Sequence, residues 1–301
     1  MAHGAAPGGH LEKPDGVKRL RPRIFALAIL ALLATVGAIG LLNARADPIE
    51  RTTTVGLPGW PAGAAPIKVA LLSDIHIGNI AMDGARLNRI VDQVNAARPD
   101  LIVLAGDFVV GQDRSGIDAR AARLTGPLIR LRAPLGAFAV LGNHDYWTDA
   151  QRVRAALTDA GVTVLDNESV QRGPISLAGI SDAFSGHDDI AASLGSGRGQ
   201  HGPTIVITHS PDLAPRLPPG IRLVLAGHTH CGQIVLPVIG ALPGWSPHER
   251  RRPYDPRYRC GVIEDPDRTV IVTGGVGSGT LPVRFGAPPD FWLITLGPPA
   301  R

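Results

Sequence analysis

Five times between residues 67 and 230 the chain repeats one pattern: four to six apolar residues, a small or polar turn, then a polar cluster. The instances are "IKVALLSDIH", "DLIVLAGDFV", "GAFAVLGNHD", "PTIVITHSPD" and "IRLVLAGHTH". Uninterrupted apolar runs of this length predict strands buried on both faces. Between them the period changes. In "MDGARLNRIVDQVNAARPD", Leu87, Ile90, Val91 and Val94 form one helical stripe, with Asp83 placed to cap its start and Pro99 beyond its end. "TDAQRVRAALTDAG" predicts a second helix, capped by Thr148 and stopped at Gly161. Strands alternating with helices predict an α/β fold with a largely internal sheet. In the final third, "RTVIVTGGV" and "FWLITLG" are strand-like with no helical pattern between them, which predicts a second sheet packed on the first. Ahead of the repeat, 49–57 reads as an edge strand and 58–66 as a turn-rich connection.

The amino-terminal part follows a different rule. "IFALAILALLATVGAIGLL", residues 24–42, holds nineteen residues without a charge. At about 1.5 Å per residue such a helix nearly spans a hydrocarbon core of about 30 Å. Residues 1–23 read as a disordered basic tail, in which Lys13, Lys18, Arg19, Arg21 and Arg23 face only Glu12 and Asp15. That tail accounts for +3 of the formal charge of +4, leaving +1 for the rest of the chain. The high pI therefore marks the tail and not a nucleic-acid surface. Aromatic residues, at 4 %, are also too sparse for base-stacking platforms. Charge beside the apolar run predicts a signal anchor with the tail in the cytoplasm and everything after residue 42 exported across the inner membrane to the periplasmic side. The alternative is secretion after cleavage near Ala46, since "ARA" at 44–46 fits a small-x-small site. Residues 43–66 then form a linker and 67–301 the working domain.

In open α/β sheets, sites form at the carboxyl ends of strands. Every candidate ligand falls there: Asp74 and His76, Asp107, Asn143 and His144, His209, and finally His228 and His230. A lone histidine after a strand is usually a solvated or satisfied side chain; five strand ends all carrying Asp, Asn or His are a different matter. Carboxylate, imidazole and amide oxygen suit Mn, Fe, Zn or Co. Seven ligands exceed the needs of one such ion and suit two that share a carboxylate.

In order, "DIH", "GD", "GNHD", "TH" and "GHTH" resemble the calcineurin-like metallophosphoesterase superfamily over about residues 67–301. The apolar run and "GSGTLPVRFGAPPD" are similar to its bacterial membrane-associated phosphodiesterase branch, which is itself similar to enzymes hydrolysing UDP-2,3-diacylglucosamine in lipid A biosynthesis. The resemblance implies a β-sandwich flanked by helices (α/β/β/α). It implies that Asp74, His76, Asp107 and His230 hold one divalent metal, and that Asp107 bridges to a second completed by Asn143, His209 and His228. It further implies a metal-bridging hydroxide as nucleophile, His144 as proton donor or charge stabiliser, and Asp145 as the group orienting His144. The expected substrate is a phosphodiester or pyrophosphate, lipid-linked or nucleotide-linked. The export topology argues against the lipid A precursor, which is cytoplasmic in that pathway. A catalytically silent binding protein on the same fold is the rival class, and a nuclease lacks the basic groove it would need.

Arg251, within "HERRRP", and Arg284, in "LPVRFG", are candidates for substrate phosphate, with a structural pairing role the alternative for Arg284. His248 has the same candidacy, in a Pro-rich, structureless loop over roughly 237–259. Cys231 and Cys260 are the only cysteines, and export would favour a disulfide between them over two buried thiols. An extended chain at 230–231 would turn Cys231 away from His230, making it a tether and not a ligand.

Overall fold

The structure, a computed structural model, describes residues 1, 4, 16–242, 244 and 250–299. It divides into two compact units, Met1–Ile39 and Gly40–Arg301. The first consists chiefly of helix α1, Gly16–Arg45, which runs on into the second. Ile24, Phe25, Leu27, Leu30, Leu32 and Leu33 are all more than half exposed on it, and the most apolar eighteen-residue stretch within Arg23–Arg45 has a mean hydropathy of 2.6. Among the described residues this is the one helix long and apolar enough to cross a membrane. A helix apolar all round has no water-facing side. Its start at Gly16 corrects the expected tail: residues 16–23 are helical, because extending an existing helix costs far less than nucleating one. Apart from Met1 and Gly4, the rest of that tail lies outside the described residues.

The second unit follows in chain order as β1 (Ile49–Gly56), β2 (Ile67–Leu72), α2 (Gly84–Ala96), β3 (Leu101–Ala105), α3 (Ile117–Leu128), β4 (Ala137–Val140), α4 (Asn143–Thr148), α5 (Ala150–Asp159) and β5 (Thr163–Val164). Then come β6 (Glu168–Arg172), β7 (Ile175–Ile180), α6 (Ile190–Ser196), β8 (Thr204–Thr208), β9 (Leu223–Ala226), β10 (Val235–Leu236), β11 (Gly240–Ala241), β12 (Gly261–Asp265), β13 (Arg268–Val272) and β14 (Asp290–Gly297). One six-stranded sheet has the order β1-β14-β2-β3-β4-β5 and the other β12-β13-β9-β8-β7-β6.

Alternation along β2 explains the layers. Val69 and Leu71 point into the core between the sheets, with Val103, Ile207, Leu225 and Ile294. Ala70 and Leu72 point outward under Leu87, Ile90, Val91, Leu124 and Leu157 of α2, α3 and α5. Each fully buried Leu, Ile or Val contributes roughly 1.5–3 kcal/mol, so strands apolar on both faces are stable only in this sandwich. The outer face of the second sheet has a thinner cover, from α6 and a 3-10 turn at Pro211–Arg216, packed with Tyr258. The fold is thus a mixed α/β sandwich with helices outside both sheets.

Local signals set the helix starts. Asp83 Oδ1 accepts from Arg86 N at 2.8 Å and caps α2. The second predicted helix begins differently from expectation: Asp149, not Thr148, caps α5, accepting from Arg152 N at 3.0 Å. Thr148 is already used as the last residue of α4, which starts within the "GNHD" turn.

Candidate metal centre

Strands β2, β3 and β4 are parallel neighbours in one sheet, and β8 and β9 in the other. All five therefore end together, and their ligand-bearing turns meet across the sandwich: His228 N donates to Asp74 Oδ2 at 3.0 Å. The turns are tight. Asp74, His76, Asp107, His228 and His230 all lie in the left-handed region, at φ 53°, 49°, 57°, 71° and 51°. A residue with a side chain pays roughly 1 kcal/mol or more there, a strain that collects at functional sites. The glycines beside them make the approach feasible. A Cβ on Gly106 would stand 2.6 Å from His209 Nδ1, and one on Gly142 would stand 2.6 Å from Asp107 N.

Two ligand clusters share one atom. In the first, His76 Nε2 lies 3.2 Å from His230 Nε2, 3.4 Å from Asp107 Oδ2 and 3.8 Å from Asp74 Oδ1. Asp74 Oδ1 is 3.4 Å from His230 Nε2. In the second, His209 Nε2 lies 3.3 Å from the same Asp107 Oδ2, 3.1 Å from Asn143 Oδ1 and 3.1 Å from His228 Nδ1. Backbone carbonyls fix two of the rings. His209 Nδ1 donates to Ala105 O and His228 Nε2 to Pro253 O, both at 2.7 Å, which leaves the opposite nitrogen of each ring facing its cluster. Asp74 Oδ1 is buried without a hydrogen-bond partner, an arrangement costly for a carboxylate unless a cation faces it. The donor set and this orphaned oxygen fit two divalent transition-metal ions of the Mn, Fe, Zn and Co kind.

Electrostatics agree for three of the four histidine ligands. Against the cost of burial, which would lower it, the Asp107 carboxylate holds the fourth, His209, well above the usual imidazole range, a shift that a bound cation would reverse. Burial pushes His76 down to about 3 and His228 down to about 4, and with His76 and Arg284 nearby it holds His230 well below the usual imidazole range. These rings stay neutral and able to ligate. Burial, reinforced by the charge of Asp107, raises Asp74 to about 7. A bound cation reverses such a shift.

The structure brings all seven predicted ligands together, and it revises the expectations around them. His144 lies at the groove wall, its imidazole edge-on to His76 and Trp147 at centroid distances of 4.9 and 5.0 Å. Its Nδ1 donates to Gly111 O at 2.8 Å, so Gly111, and not Asp145, orients it. Asp145 is fully buried and faces the other way. Its oxygens accept from Asp107 N (3.0 Å), Phe108 N (2.9 Å), Val109 N (3.3 Å) and Gly142 N (2.9 Å). It staples the turn after β3 to the turn after β4, because a carboxylate one residue past His144 on α4 points back into the helix start.

Arg284 is not part of the groove lining. It is 0 % exposed, and its guanidinium donates to Gly277 O (2.8 Å), Ala287 O (3.0 Å) and Gly274 O (2.6 Å), with Nη2 3.2 Å from His230 Nδ1. Burial forces it to serve carbonyls that no water reaches. Arg251 is exposed, donates to Phe184 O at 2.7 Å and lies over the Phe184 ring at 4.6 Å, outside the groove lining. His248 lies outside the described residues. The 237–259 loop is not structureless either: it contains β11, paired with β10, and a 3-10 turn at Pro256–Tyr258.

Cys231 is bonded to Cys260, but for a different local reason than an extended chain. His230–Gly232 is a 3-10 turn with Cys231 at φ 53°. The bond and the Thr229 Oγ1 donation to Arg259 O at 2.7 Å hold the returning loop beside His228. With the cysteines 29 positions apart, the cross-link should stabilise by roughly 3–4 kcal/mol. Dithiothreitol is expected to lower the melting temperature of the native chain and leave that of a Cys231→Ser/Cys260→Ser variant unmoved; equal sensitivity would contradict the cross-link.

The groove over the clusters, about 260 Å³, is walled by residues that periodicity did not single out: Gln112, Trp147, Phe184, Leu242 and Tyr254. Phe184 packs against the His228 ring at 4.7 Å. The one available signal was "YW" directly after "GNHD".

Comparison with known proteins places this geometry. Residues 67–232 match the calcineurin-like phosphoesterase family. The chain is 30 % identical over 299 residues to a transmembrane protein with metallophosphoesterase domain from Danio rerio, covering 92 % of this chain and 63 % of that one. It is 35 % identical over 236 residues to the protein of the same description from Bos taurus, covering 71 % and 51 %. An uncharacterized metallophosphoesterase of Bacillus subtilis, YkuE, is 30 % identical over 244 residues, covering 78 % and 81 %. This chain thus spans half to two thirds of the length of the first two relatives. A family match over residues 67–232 and the shared-carboxylate site lead to one assignment: the chain belongs to the calcineurin-like phosphoesterase family.

Proposed function

We propose that the chain is a membrane-anchored phosphoesterase that hydrolyses a phosphodiester or pyrophosphate bond at a two-metal centre. The observation that carries this reading is Asp107 Oδ2, which faces His76 Nε2 at 3.4 Å and His209 Nε2 at 3.3 Å and so belongs to both clusters. Asp74, His76, Asp107 and His230 would hold one ion, and Asp107, Asn143, His209 and His228 the other. Two divalent ions held there would supply Lewis acidity at phosphoryl oxygen and lower the pKa of water to near neutrality.

The remaining work falls to the chain. His144, anchored through Nδ1 to Gly111 O, keeps Nε2 for the reaction and, when protonated, donates from it to the leaving oxygen. Trp147 and Phe184 line the groove with apolar surface and thin the water around the bond being broken. Asp145 keeps the Asp107 turn in register. Helix α1 serves as the anchor, and the basic residues ahead of it support an orientation with the 67–301 domain on the exported side.

The test is metal analysis of the purified full chain together with hydrolysis of bis-p-nitrophenyl phosphate and of UDP-2,3-diacylglucosamine. Near two equivalents with turnover is the expected result. Metal without turnover, or no metal, would favour the silent binding protein. His144→Ala is expected to keep its metal and lose about 10²–10⁴-fold in kcat; loss of metal with the activity would remove His144 from the proton-transfer role.

A further inference from the structure

Five large apolar side chains stand exposed on segments that flank the metal groove: Ile80 (63 %), Val238 (108 %), Ile239 (71 %), Leu242 (41 %) and Leu281 (60 %). Leu242 lines the groove itself, beside Gly279, Thr280 and His230. The others are tied to it by hydrogen bonds. Val238 and Ile239 form the tip between β10 and β11, and Leu242 N donates to Ile234 O at 2.9 Å at the base of that hairpin. Gln233 Nε2 donates to Leu281 O at 2.9 Å while its Oε1 accepts from Gly279 N at 3.0 Å. Asn79 Nδ2 donates to Ser278 O at 3.0 Å and ties the turn that carries Ile80 to the same stretch.

The last turn of α1, residues 40–45, is built into these segments. Arg284 N donates to Gly40 O at 2.9 Å, and Asn43 Nδ2 to Arg284 O at 3.1 Å. Arg45 Nη1 donates to Ile80 O. The buried Arg86 gives Nε to Arg45 O at 3.1 Å and Nη2 to Ala46 O at 2.7 Å, so a cation takes up the final carbonyls of the helix. A Cβ on Gly40 would stand 2.7 Å from Phe285 Cε2, a contact only glycine permits. The helix end is thus held from three segments of the catalytic unit.

Single exposed aliphatics need no explanation, but a group of them beside residues 40–45, where the chain leaves its apolar helix, does. We infer that this group rests in the interface of the bilayer that α1 enters, so that the groove opens onto lipid head groups and the substrate is a phosphoester carried by a membrane lipid. The inference rests on the phosphoesterase reading above and adds the substrate class. Side chains of this kind beside a membrane helix bury their apolar surface at the headgroup boundary.

The test uses the full chain reconstituted in phosphatidylcholine vesicles. Ile239→Trp is expected to add fluorescence that brominated phosphatidylcholine quenches, while Ile129→Trp, at another well-exposed position (61 %) just after α3, adds fluorescence that it does not. Equal quenching at both positions would overturn the seating. Val238→Glu/Ile239→Glu is expected to keep hydrolysis of soluble bis-p-nitrophenyl phosphate and to lose about tenfold or more against phosphatidic acid, phosphatidylglycerol or a polyprenyl pyrophosphate in the vesicles. A native chain that cleaves the soluble diester but none of these lipids, or a variant equally active on both, would overturn the lipid substrate. A native chain inactive on the soluble diester would instead sink the phosphoesterase reading and the substrate class with it, while the quenching result still decides the seating.

Discussion

Asp107→Asn is expected to reduce bound metal from near two equivalents to below one and to cut kcat/KM by at least about 10³-fold, roughly 4 kcal/mol of transition-state stabilisation. The substitution is nearly isosteric, and its remaining oxygen can still accept from His144 N, the 2.9 Å bond that Asp107 Oδ1 makes. What is lost is one anionic oxygen. That oxygen is shared: it faces the ring nitrogens of His76 and His209, one from each cluster. Against the cost of burial, which would raise it, the neighbouring imidazoles of His209, His144 and His76 hold the Asp107 carboxyl well below its ordinary range, so it is ionised whenever the protein is folded at neutral pH. An amide supplies dipole but no charge, and both ions would lose their common counter-charge. His76→Ala gives the contrast. It removes a ligand from the first cluster alone, and near one equivalent should remain. Plasma emission analysis with steady-state kinetics on a soluble diester measures both. Two retained equivalents in Asp107→Asn would mean that the clusters do not share this carboxylate.

The difference between these variants shows what was legible in the chain. Strand positions were readable because "VALL", "IVLA" and "LVLA" bury both faces, and a continuous apolar run leaves little choice of structure. The ligands were readable because they stand at the ends of such runs, where parallel strands bring distant residues to one place. Partners that depend on the direction of a side chain were not readable. Asp145 follows His144 in sequence, yet both stand in the first turn of α4, which turns the carboxylate back toward Asp107 N and Gly142 N. Arg284 sits in a segment that looks like a loop, and only the carbonyls of Gly274 and Gly277 around it reveal a buried clamp. Arg86 reads as a polar residue on an amphipathic helix, while its guanidinium closes the end of α1. In each case the deciding partner is a backbone carbonyl or amide, and backbone groups carry no residue identity to read.

Asp145→Ala carries the largest expected cost in stability. Four backbone N–H groups, of Asp107, Phe108, Val109 and Gly142, donate to this one carboxylate in a fully buried setting. An unpaired buried donor costs roughly 1–3 kcal/mol, and the turns after β3 and β4 can relax only in part because the strands behind them are fixed in the sheet. A loss of about 4 kcal/mol follows, seen as a drop of roughly 10 °C in melting temperature for a unit of this size. Metal affinity should fall as well, by about 10–100-fold, since the turn that aims Asp107 is no longer held. Unlike Asp107→Asn, this defect is in positioning, so excess divalent metal should restore part of the activity. Asp145→Asn separates the two accounts of this residue. If the carboxylate is a staple, the amide, with one acceptor oxygen and an NH₂ turned toward backbone N–H donors, lowers both melting temperature and metal affinity. If it were the orienter of His144, the same change would lower kcat alone and leave metal affinity and melting temperature where they were.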